Sequence, residues 1–404
     1  MITGPDEVRF AVKALPAAGA RPNELTRTMA PHPLVYQELP YDPEYLLYNH
    51  RLTAMRLSTA TPDEAYWRVR RQVILRHTGE LPLEVRGPDA ERMLDRVFTR
   101  DVTRVKVGRC SYQFACYDDG GMITDGVLMR LERDRFWFGQ ADGDLFSWLK
   151  ASARGFDVEV RDPGIWISQV QGPDALKVLA AAVDGDYPER FRYFDIATVP
   201  IAGQPVVLSR TGFTNELGWE FYLSPDMDVR AVGDRILEAG REYGLLPTSA
   251  DGFRARRIEA GLLNAGTDFD ASVTPFTAGL GEFVDLAKPD FIGKAALEAA
   301  DRRRRTWGLR IPGAIAGLGD TLRLDGAPAG RVCSSAWSPF QRCGVAIARL
   351  DDPDLGPGAA LDVVCSDGVT RTGVTCGLPM YDENREIPRG RRVDIPEVPD
   401  EVEV

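Results

Sequence analysis

The amino-acid sequence predicts an α+β chain that closes on a small all-β domain. Three observations carry this. Capped stretches with apolar residues three and four apart alternate with period-two stretches through about residue 302. From Thr306 to about Gly377 the texture changes to short strands broken by glycine and proline turns. The 404 residues, 44% of them hydrophobic, are enough for ordinary packed cores in two or three domains of ~150 residues.

Residues 1 to about 40 show no clear period and read as an arm or loop laid on the body. The run TPDEAYWRVRRQV from Thr61 predicts a helix. Thr61 can cap it, Pro62 suits the first turn, and Glu64 completes a capping box. Tyr66, Val69 and Val73 then share one face. LPLEVRG alternates as a strand does, and a second helix starts behind Pro88 and Asp89. From Cys110 the sequence predicts three strands, turned at Gly120-Gly121 and at ERDR. A helix from Asp144 to Ser152, two strands (FDVEVRD, WISQVQG) and a helix from Pro173 to Val183 follow. Asp142 and Asp144 read as caps of the first of these helices, with pocket acids as the alternative. Strands at 197–201 and 205–210, a strand at the end of RTGFTNELGWEFYLS, and helices at 229–243 and 251–263 complete the mixed region. A loop then leads into a last helix, whose end the basic run from Arg302 to Arg305 would occupy, facing the helix dipole. These readings give a mixed region over 1–302, a β-barrel domain over 303–380 and an acidic, extended tail over 381–404.

Charge and rare residues exclude several function classes. Lys and Arg total 49 against 60 Asp and Glu, a net charge of -11, which argues against a nucleic-acid partner. The tail contributes -4 of it, so the body carries -7. Three histidines (His32, His50, His77) and six cysteines without a C-x-x-C pair argue against a metal site. No signal sequence opens the chain and no apolar run reaches the ~18 residues of a membrane span. The chain therefore reads as a cytoplasmic protein with reduced thiols and no membrane partner. No G-x-G-x-x-G, P-loop or G-x-S-x-G motif occurs.

The informative block is Arg210-Thr-Gly-Phe-Thr-Asn-Glu-Leu-Gly-Trp-Glu-Phe-Tyr222. Its glycines make a loop that re-enters a strand at Trp219. There Glu220 and Tyr222 share one face while Trp219 and Phe221 share the other. If the second pair packs in the core, the first faces a cavity or solvent. A carboxylate beside an aromatic ring suits a flat heterocycle with adjacent N–H donors. A solvent-facing Glu with a half-buried Tyr fits the same spacing. Trp166, Trp219 and Trp337 read as core or pocket wall.

This block resembles the folate-binding signature R-T-G-Y-T-G-E-x-G-F-E-I of the glycine-cleavage T-protein family. Six further blocks follow in that family's order: Gly120-Gly-Met-Ile-Thr-Asp125, Gln171-Gly-Pro-Asp-Ala175, Arg257-Ile-Glu-Ala-Gly261, Gly266-Thr-Asp-Phe-Asp270, Ala278-Gly-Leu-Gly281 and Asp290-Phe-Ile-Gly-Lys294. The resemblance as a whole spans roughly Tyr48 to Leu378, most of the chain. Tyr48-Asn49-His50, TPDEAYW, FWFGQADGD and RTGFTNELGWEFYL look closest to the dimethylsulfoniopropionate demethylase branch. The fold so implied is a three-domain ring of the T-protein type with a C-terminal all-β barrel. The implied cofactor is tetrahydrofolate and the implied substrate a small S-, N- or O-methylated compound. Whether the chain forms a homo-oligomer stays open.

By the resemblance, Glu220 grips the pterin ring, Tyr222 lines its pocket, and Gln171, Gln140 and Arg257 contact the cofactor; a buried helix anchor is the other reading of Arg257. The family's catalytic aspartate falls at Thr124, leaving Asp125 as the second acid of the pair. Asp125 is then the candidate proton acceptor, or a hairpin-turn residue. Methyl transfer from a sulfonium or ammonium expels a neutral group, so alignment suffices. An ether donor needs an acid, for which His77 and Tyr112 are the candidates. Relatives carry a Trp-Asp or Phe-Asp pair where this chain has Leu75-Arg76. That change reverses the local charge and favours a substrate with an anionic group; the alternative is a solvent-facing Arg76 that compensates Glu80 or Glu84. The family's arginine for the folate tail falls at Phe253, with Arg254 and Arg256 out of register. Thr124 and His50 complete the substrate candidates, with a structural role as the alternative for His50. Aminomethyl transfer in glycine cleavage and non-catalytic folate binding are the competing functions; the K-G-C-Y-x-G-Q-E motif of the latter is absent.

Overall fold

The computed structural model describes residues 29–364 and 369–392. Residues 1–28 of the expected arm, Cys365 and residues 393–404 of the expected tail lie outside the described residues. The described residues open with a small sheet of β1 (Ala30–Pro31), β2 (Glu44–Tyr48) and β3 (Arg51–Arg56), ordered β1-β3-β2. Helix α1 (Pro62–Arg71) starts on the capping box that its sequence predicts. Thr61 Oγ1 accepts from the Glu64 N–H at 3.3 Å, and Glu64 Oε2 accepts from the Thr61 N–H at 2.8 Å.

The chain then lays down β4 (Ile74–His77), β5 (Leu81–Arg86), α2 (Ala90–Val97), β6 (Arg109–Cys116), β7 (Met122–Glu132), β8 (Arg135–Gln140), α3 (Leu145–Ser152), β9 (Glu159–Arg161), β10 (Trp166–Gln171) and α4 (Ala175–Ala182). After these come β11 (Ile196–Ile201), β12 (Gln204–Ser209), β13 (Gly218–Leu223), α5 (Val229–Ala239), α6 (Arg254–Glu259) and α7 (Lys294–Ala299). Two five-stranded sheets result, ordered β6-β7-β8-β5-β9 and β11-β12-β13-β10-β4. The tetrapeptide Gly-Pro-Asp-Ala begins a helix in each. It follows β5 at residues 87–90 and β10 at residues 172–175, and in both copies the alanine N–H donates to the glycine carbonyl at 3.0 Å. Apolar residues of α2 and α3 cover one face of the first sheet (Met93, Leu94, Leu145 and Leu149 on Leu83, Leu128, Phe136 and Phe138). Those of α4 and α5 cover one face of the second.

The last strands are β14 (Thr306–Ile311), β15 (Thr321–Leu324), β16 (Ala327–Ser338), β17 (Cys343–Leu350), β18 (Ala360–Val364) and β19 (Thr370–Cys376). They close a barrel ordered β14-β17-β16-β15-β18-β19. The uncovered faces of the two five-stranded sheets meet at one end, where Met129 and Trp137 pack on Ile167 and Tyr222. Elsewhere they part around a cavity of about 2180 Å³ that the small sheet, α6 and the barrel also line.

Three expectations fail. The helix expected over 251–263 is a single turn, Ala250–Phe253, followed by the short α6, because the chain turns at Gly261 with φ +65°. The basic run at 302–305 lies beyond α7 and is spent in contacts: Arg303 pairs with Asp301 and Asp354, and the Arg304 guanidinium stacks 4.4 Å from the Trp307 ring. The described part of the tail is docked, since Tyr381 lies under the guanidinium groups of Arg70 and Arg256 at 4.5 and 4.2 Å and Ile387 is buried. Five cysteines are free thiols, and no helix among the described residues is long and apolar enough to cross a membrane.

Candidate active site

Strand register builds the first wall. Arg76 pairs with Gln169, Gln169 with Glu220, and Glu220 with Ser209, so one polar row crosses β4, β10, β13 and β12. The pleat sends alternate residues to opposite faces. Trp219 and Phe221 therefore enter the helix-covered core, while Gln169, Glu220 and Tyr222 line the cavity.

Hydroxyl groups alone hold Glu220. Its Oε2 accepts from Thr211 Oγ1 at 2.6 Å, Tyr222 OH at 3.2 Å and Ser209 Oγ at 3.4 Å. The hydrogen bonds found among the described residues all go to Oε2 and none to Oε1, and Glu220 lines the cavity. Burial pushes the carboxyl up to about 7; the Thr211 hydrogen bond opposes this, and the charge of Glu80 adds to it. The loop that supplies Thr211 is shaped by Gln171. That amide donates to the Thr211 carbonyl at 3.1 Å and accepts from Thr214 Oγ1 at 2.8 Å. Gly212 and Gly218 lie so close to it that a Cβ at either would overlap its side chain.

The facing wall comes from β6 and β7. Tyr112 OH donates to Asp125 Oδ2 at 2.7 Å, and both residues line the cavity. Burial pushes Asp125 up to about 6, with the Tyr112 hydrogen bond opposing the rise. The group is ionised at neutral pH and poised to accept a proton.

At the end nearest the small sheet the cavity is lined by Tyr48, Met55, Arg76, Glu80 and Phe253. Arg76 is 6% exposed, so it does not reach outward to solvent. Its Nη1 donates to the Ala54 carbonyl at 2.8 Å and its Nη2 to Thr53 Oγ1 at 3.0 Å, with the guanidinium 5.1 Å from the Phe253 ring. Glu80 Oε2 is buried without a hydrogen-bond partner. At the far rim Arg257 donates to Asp268 Oδ2 and Ser334 Oγ, both at 2.8 Å, and so ties α6 to the barrel. It lines the cavity, yet these N–H groups are spent on the protein.

This architecture has known counterparts. Residues 30–288 match the GCVT N-terminal domain, and residues 304–382 match the glycine cleavage T-protein C-terminal barrel domain. The chain belongs to the glycine-cleavage T-protein family. As a member it is an enzyme of the transferase class. It is 35% identical to a trimethylamine-oxide aldolase of Ruegeria pomeroyi over 85% of its own length, but spans only 46% of that protein. It is 32% identical to the dimethylsulfoniopropionate demethylase of the same organism, over 83% of this chain and 92% of the demethylase. An aminomethyltransferase of Alkaliphilus oremlandii is 31% identical over 71% of this chain and 80% of its own. The solved glycine cleavage system aminomethyltransferase T from Bartonella henselae superposes with a TM-score of 0.79 at 22% identity, covering 88% of this chain and 99% of the other. It shows the same fold.

Within this T-protein fold several assigned residues fall elsewhere. His77 is buried on the opposite face of β4 from Arg76, where it stacks on His32 at 4.6 Å and bonds Ser168 Oγ at 2.8 Å. Burial, with the charge of Arg76, lowers it to about 3, so it stays neutral and donates no proton to the cavity. Thr124 is fully buried, and its hydroxyl donates to the Asp125 carbonyl at 3.4 Å; the pleat gives the cavity to Asp125. Gln140 accepts from the Phe146 N–H at 3.0 Å and donates to Asn49 Oδ1 at 2.9 Å, so it caps α3 in place of Asp144. Asp142 instead accepts from the Asn49 N–H at 3.0 Å and lines the cavity. His50 is exposed in the turn between β2 and β3 and is not part of the cavity wall. Gln171 lies beneath its loop. Arg254 lines the cavity, whereas Arg256 is fully buried against Glu216 at 2.6 Å.

Sequence reasoning gave no place in the site to Gln169, Thr211 or Glu80, the last named only as a possible counter-charge for Arg76. The first two carried a usable signal. In WISQVQ, Gln169 has the parity of Gln171 but sits a full pleat closer to the middle of the strand. Thr211 lies within the signature block itself.

Proposed function

We propose that this enzyme moves a methyl group from a small methylated compound to tetrahydrofolate, giving 5-methyltetrahydrofolate. Members of the family use tetrahydrofolate, and the carrying observation is the free Oε1 of Glu220 in a cavity large enough for a pterin and a donor together. The residues fit the group. Glu220 offers an acceptor aimed at ring N–H donors, and Tyr222, Tyr112 and Phe283 supply aromatic wall.

Bound tetrahydrofolate supplies the nucleophilic N5 to which the methyl group passes. The chain's own contribution is alignment and proton handling. Glu220, fixed by Thr211, Ser209 and Tyr222, sets the ring's orientation. Asp125, kept ionised by Tyr112, accepts the proton that N5 sheds as its bond to the methyl carbon forms. The electron pair of the broken bond stays on the donor's heteroatom. Two observations favour a sulfonium or ammonium donor over an ether. No histidine lines the cavity among the described residues, and the Tyr112 proton is already committed to Asp125. A neutral leaving group needs no acid.

Aminomethyl transfer is the second reading. Asp125, rather than Thr124, faces the cavity, so the absence of an acid at Thr124 no longer weighs against it. One experiment separates the two. The protein is incubated with tetrahydrofolate and a panel of sulfonium, ammonium, N-methyl and methoxy compounds, and the folate product is identified. 5-Methyltetrahydrofolate supports the proposal. 5,10-Methylenetetrahydrofolate with ammonia released from an aminomethylated lipoyl carrier overturns it.

A further inference from the structure

We propose that Arg76 binds a carboxylate of the methyl donor, so that the donor is a methylated carboxylic acid. The inference rests on the methyl-transfer reading above. Its basis is an unpaired buried cation. Burying a guanidinium is costly unless a carboxylate meets it. Arg70, Arg256 and Arg257 are buried and each has one, at 3.1, 2.6 and 2.8 Å. Among the described residues no carboxylate pairs with Arg76; Glu38, Glu80 and Asp251 act on it only through space. Burial pushes Glu38 itself up to about 7, which leaves it a partial counter-charge at neutral pH. Arg51 is also buried without a carboxylate, but it donates to two carbonyls and does not line the cavity.

The guanidinium has hydrogen atoms to offer. Nη1 serves the carbonyls of Ala54 and Thr248, at 2.8 and 3.5 Å, and Nη2 serves Thr53. Of its five N–H groups, the one on Nε and one on Nη2 have no acceptor among the described residues. Two N–H groups suit a carboxylate. Position supports the same reading. Arg76 and Glu220 stand two strands apart in one row, with Gln169 between them, a separation of about 10 Å. A small donor anchored at Arg76 therefore points its other end toward the ring held at Glu220. Glu80, its Oε2 buried without a partner, lines the cavity within electrostatic reach of both Arg76 and Glu220 and offers a negative charge for the onium group between them.

The test is a calorimetric titration of the full chain with matched probes. Dimethylsulfoniopropionate is compared with trimethylsulfonium, glycine betaine with tetramethylammonium, and 4-methoxybenzoate with methoxybenzene. At least one carboxylate should bind about 30-fold or more tightly than its counterpart. Arg76→Met should erase that preference, and Arg76→Lys should restore part of it. The pair that responds tells an onium acid from a methoxyaryl acid. Equal affinities within every pair overturn the inference even if Arg76→Met does not fold, because that comparison needs only the unaltered protein. A preference that survives Arg76→Met overturns it as well. Methyl transfer from a carboxylate-free donor as fast as from its acid would sink this inference and leave the function standing. Arg76-dependent carboxylate binding with no 5-methyltetrahydrofolate from any donor would do the reverse.

Discussion

Glu84 and Glu220 both sit on interior strands of the two five-stranded sheets, and they have opposite fates. Both oxygens of Glu84 are spent. Trp137 Nε1 and Arg135 Nε reach Oε2 at 2.8 and 2.7 Å, and Arg161 Nε reaches Oε1 at 2.8 Å. Burial alone would raise this carboxyl, but the hydrogen bonds from Trp137, Arg135 and Arg161 outweigh it and hold it below the ordinary range. Glu220 has hydroxyl partners on one oxygen and nothing on the other, and its carboxyl rises. The residue type is the same, though Glu84 is fully buried and Glu220 keeps part of its surface open to the cavity. Satisfaction by cations makes the first glutamate structural, and its absence leaves the second available to a ligand.

The largest effect tests the proton-accepting role proposed for Asp125 on the first sheet. Asp125→Asn should lower turnover of folate-dependent demethylation about 10²–10⁴-fold, with folate affinity nearly unchanged. Tyr112→Phe should cost less, since it removes one hydrogen bond from a carboxylate that remains. Steady-state kinetics beside calorimetry gives the split. An Asp125→Asn enzyme with full kcat would leave that wall without a role in proton transfer.

Next comes the glutamate pair itself. Glu220→Gln should weaken tetrahydrofolate binding about 100-fold while the protein stays folded. Glu84→Gln should do the opposite. Folate affinity of the folded protein should hold, and stability should fall by about 2–3 kcal/mol, somewhat less than for a fully buried pair because Arg135 and Arg161 are partly exposed. Urea titration reads the second effect. If both variants lost folate and neither lost stability, the contrast between the sheets would collapse.

Much of this contrast was legible in the residues. The alternation in Trp219-Glu220-Phe221-Tyr222 already assigned two faces, and the capping box at Thr61 and the turn at Gly120-Gly121 marked where elements begin. Pairings between distant strands were not legible. Arg76 and His77 are neighbours with opposite faces, and only the register against β10 says which one meets the cavity. Gln171 looked like a ligand contact because it sits in a motif, yet it supports a loop 40 residues away. Gln140 took the cap that Asp144 was expected to provide, which depends on how the strand end meets α3. The docking of Tyr381 needs Arg70 and Arg256 stacked beside it, a contact that no local pattern shows.

The smallest effect is a slope. Glu220 is pushed up to about 7 in the folded protein, above the ordinary glutamate value of 4.5. The folded state therefore holds this proton more tightly than the unfolded one. Its contribution to stability is fully present below the ordinary value and is lost as pH rises toward 7. Glu84 is lowered, so its contribution is present above the ordinary range and disappears as pH falls. Melting temperatures across pH 4 to 8 should consequently decline less steeply in Glu220→Gln than in the unaltered protein, with Glu220→Gln the more stable at the alkaline end. The ligand reverses the sign. Ring N–H donors need the ionised carboxylate, so folate affinity should fall about tenfold for each pH unit below about 7. The same proton thus strengthens the empty site and weakens the filled one. A folate affinity that stayed flat from pH 5 to 8 would show that Glu220 is not the group that grips the ring.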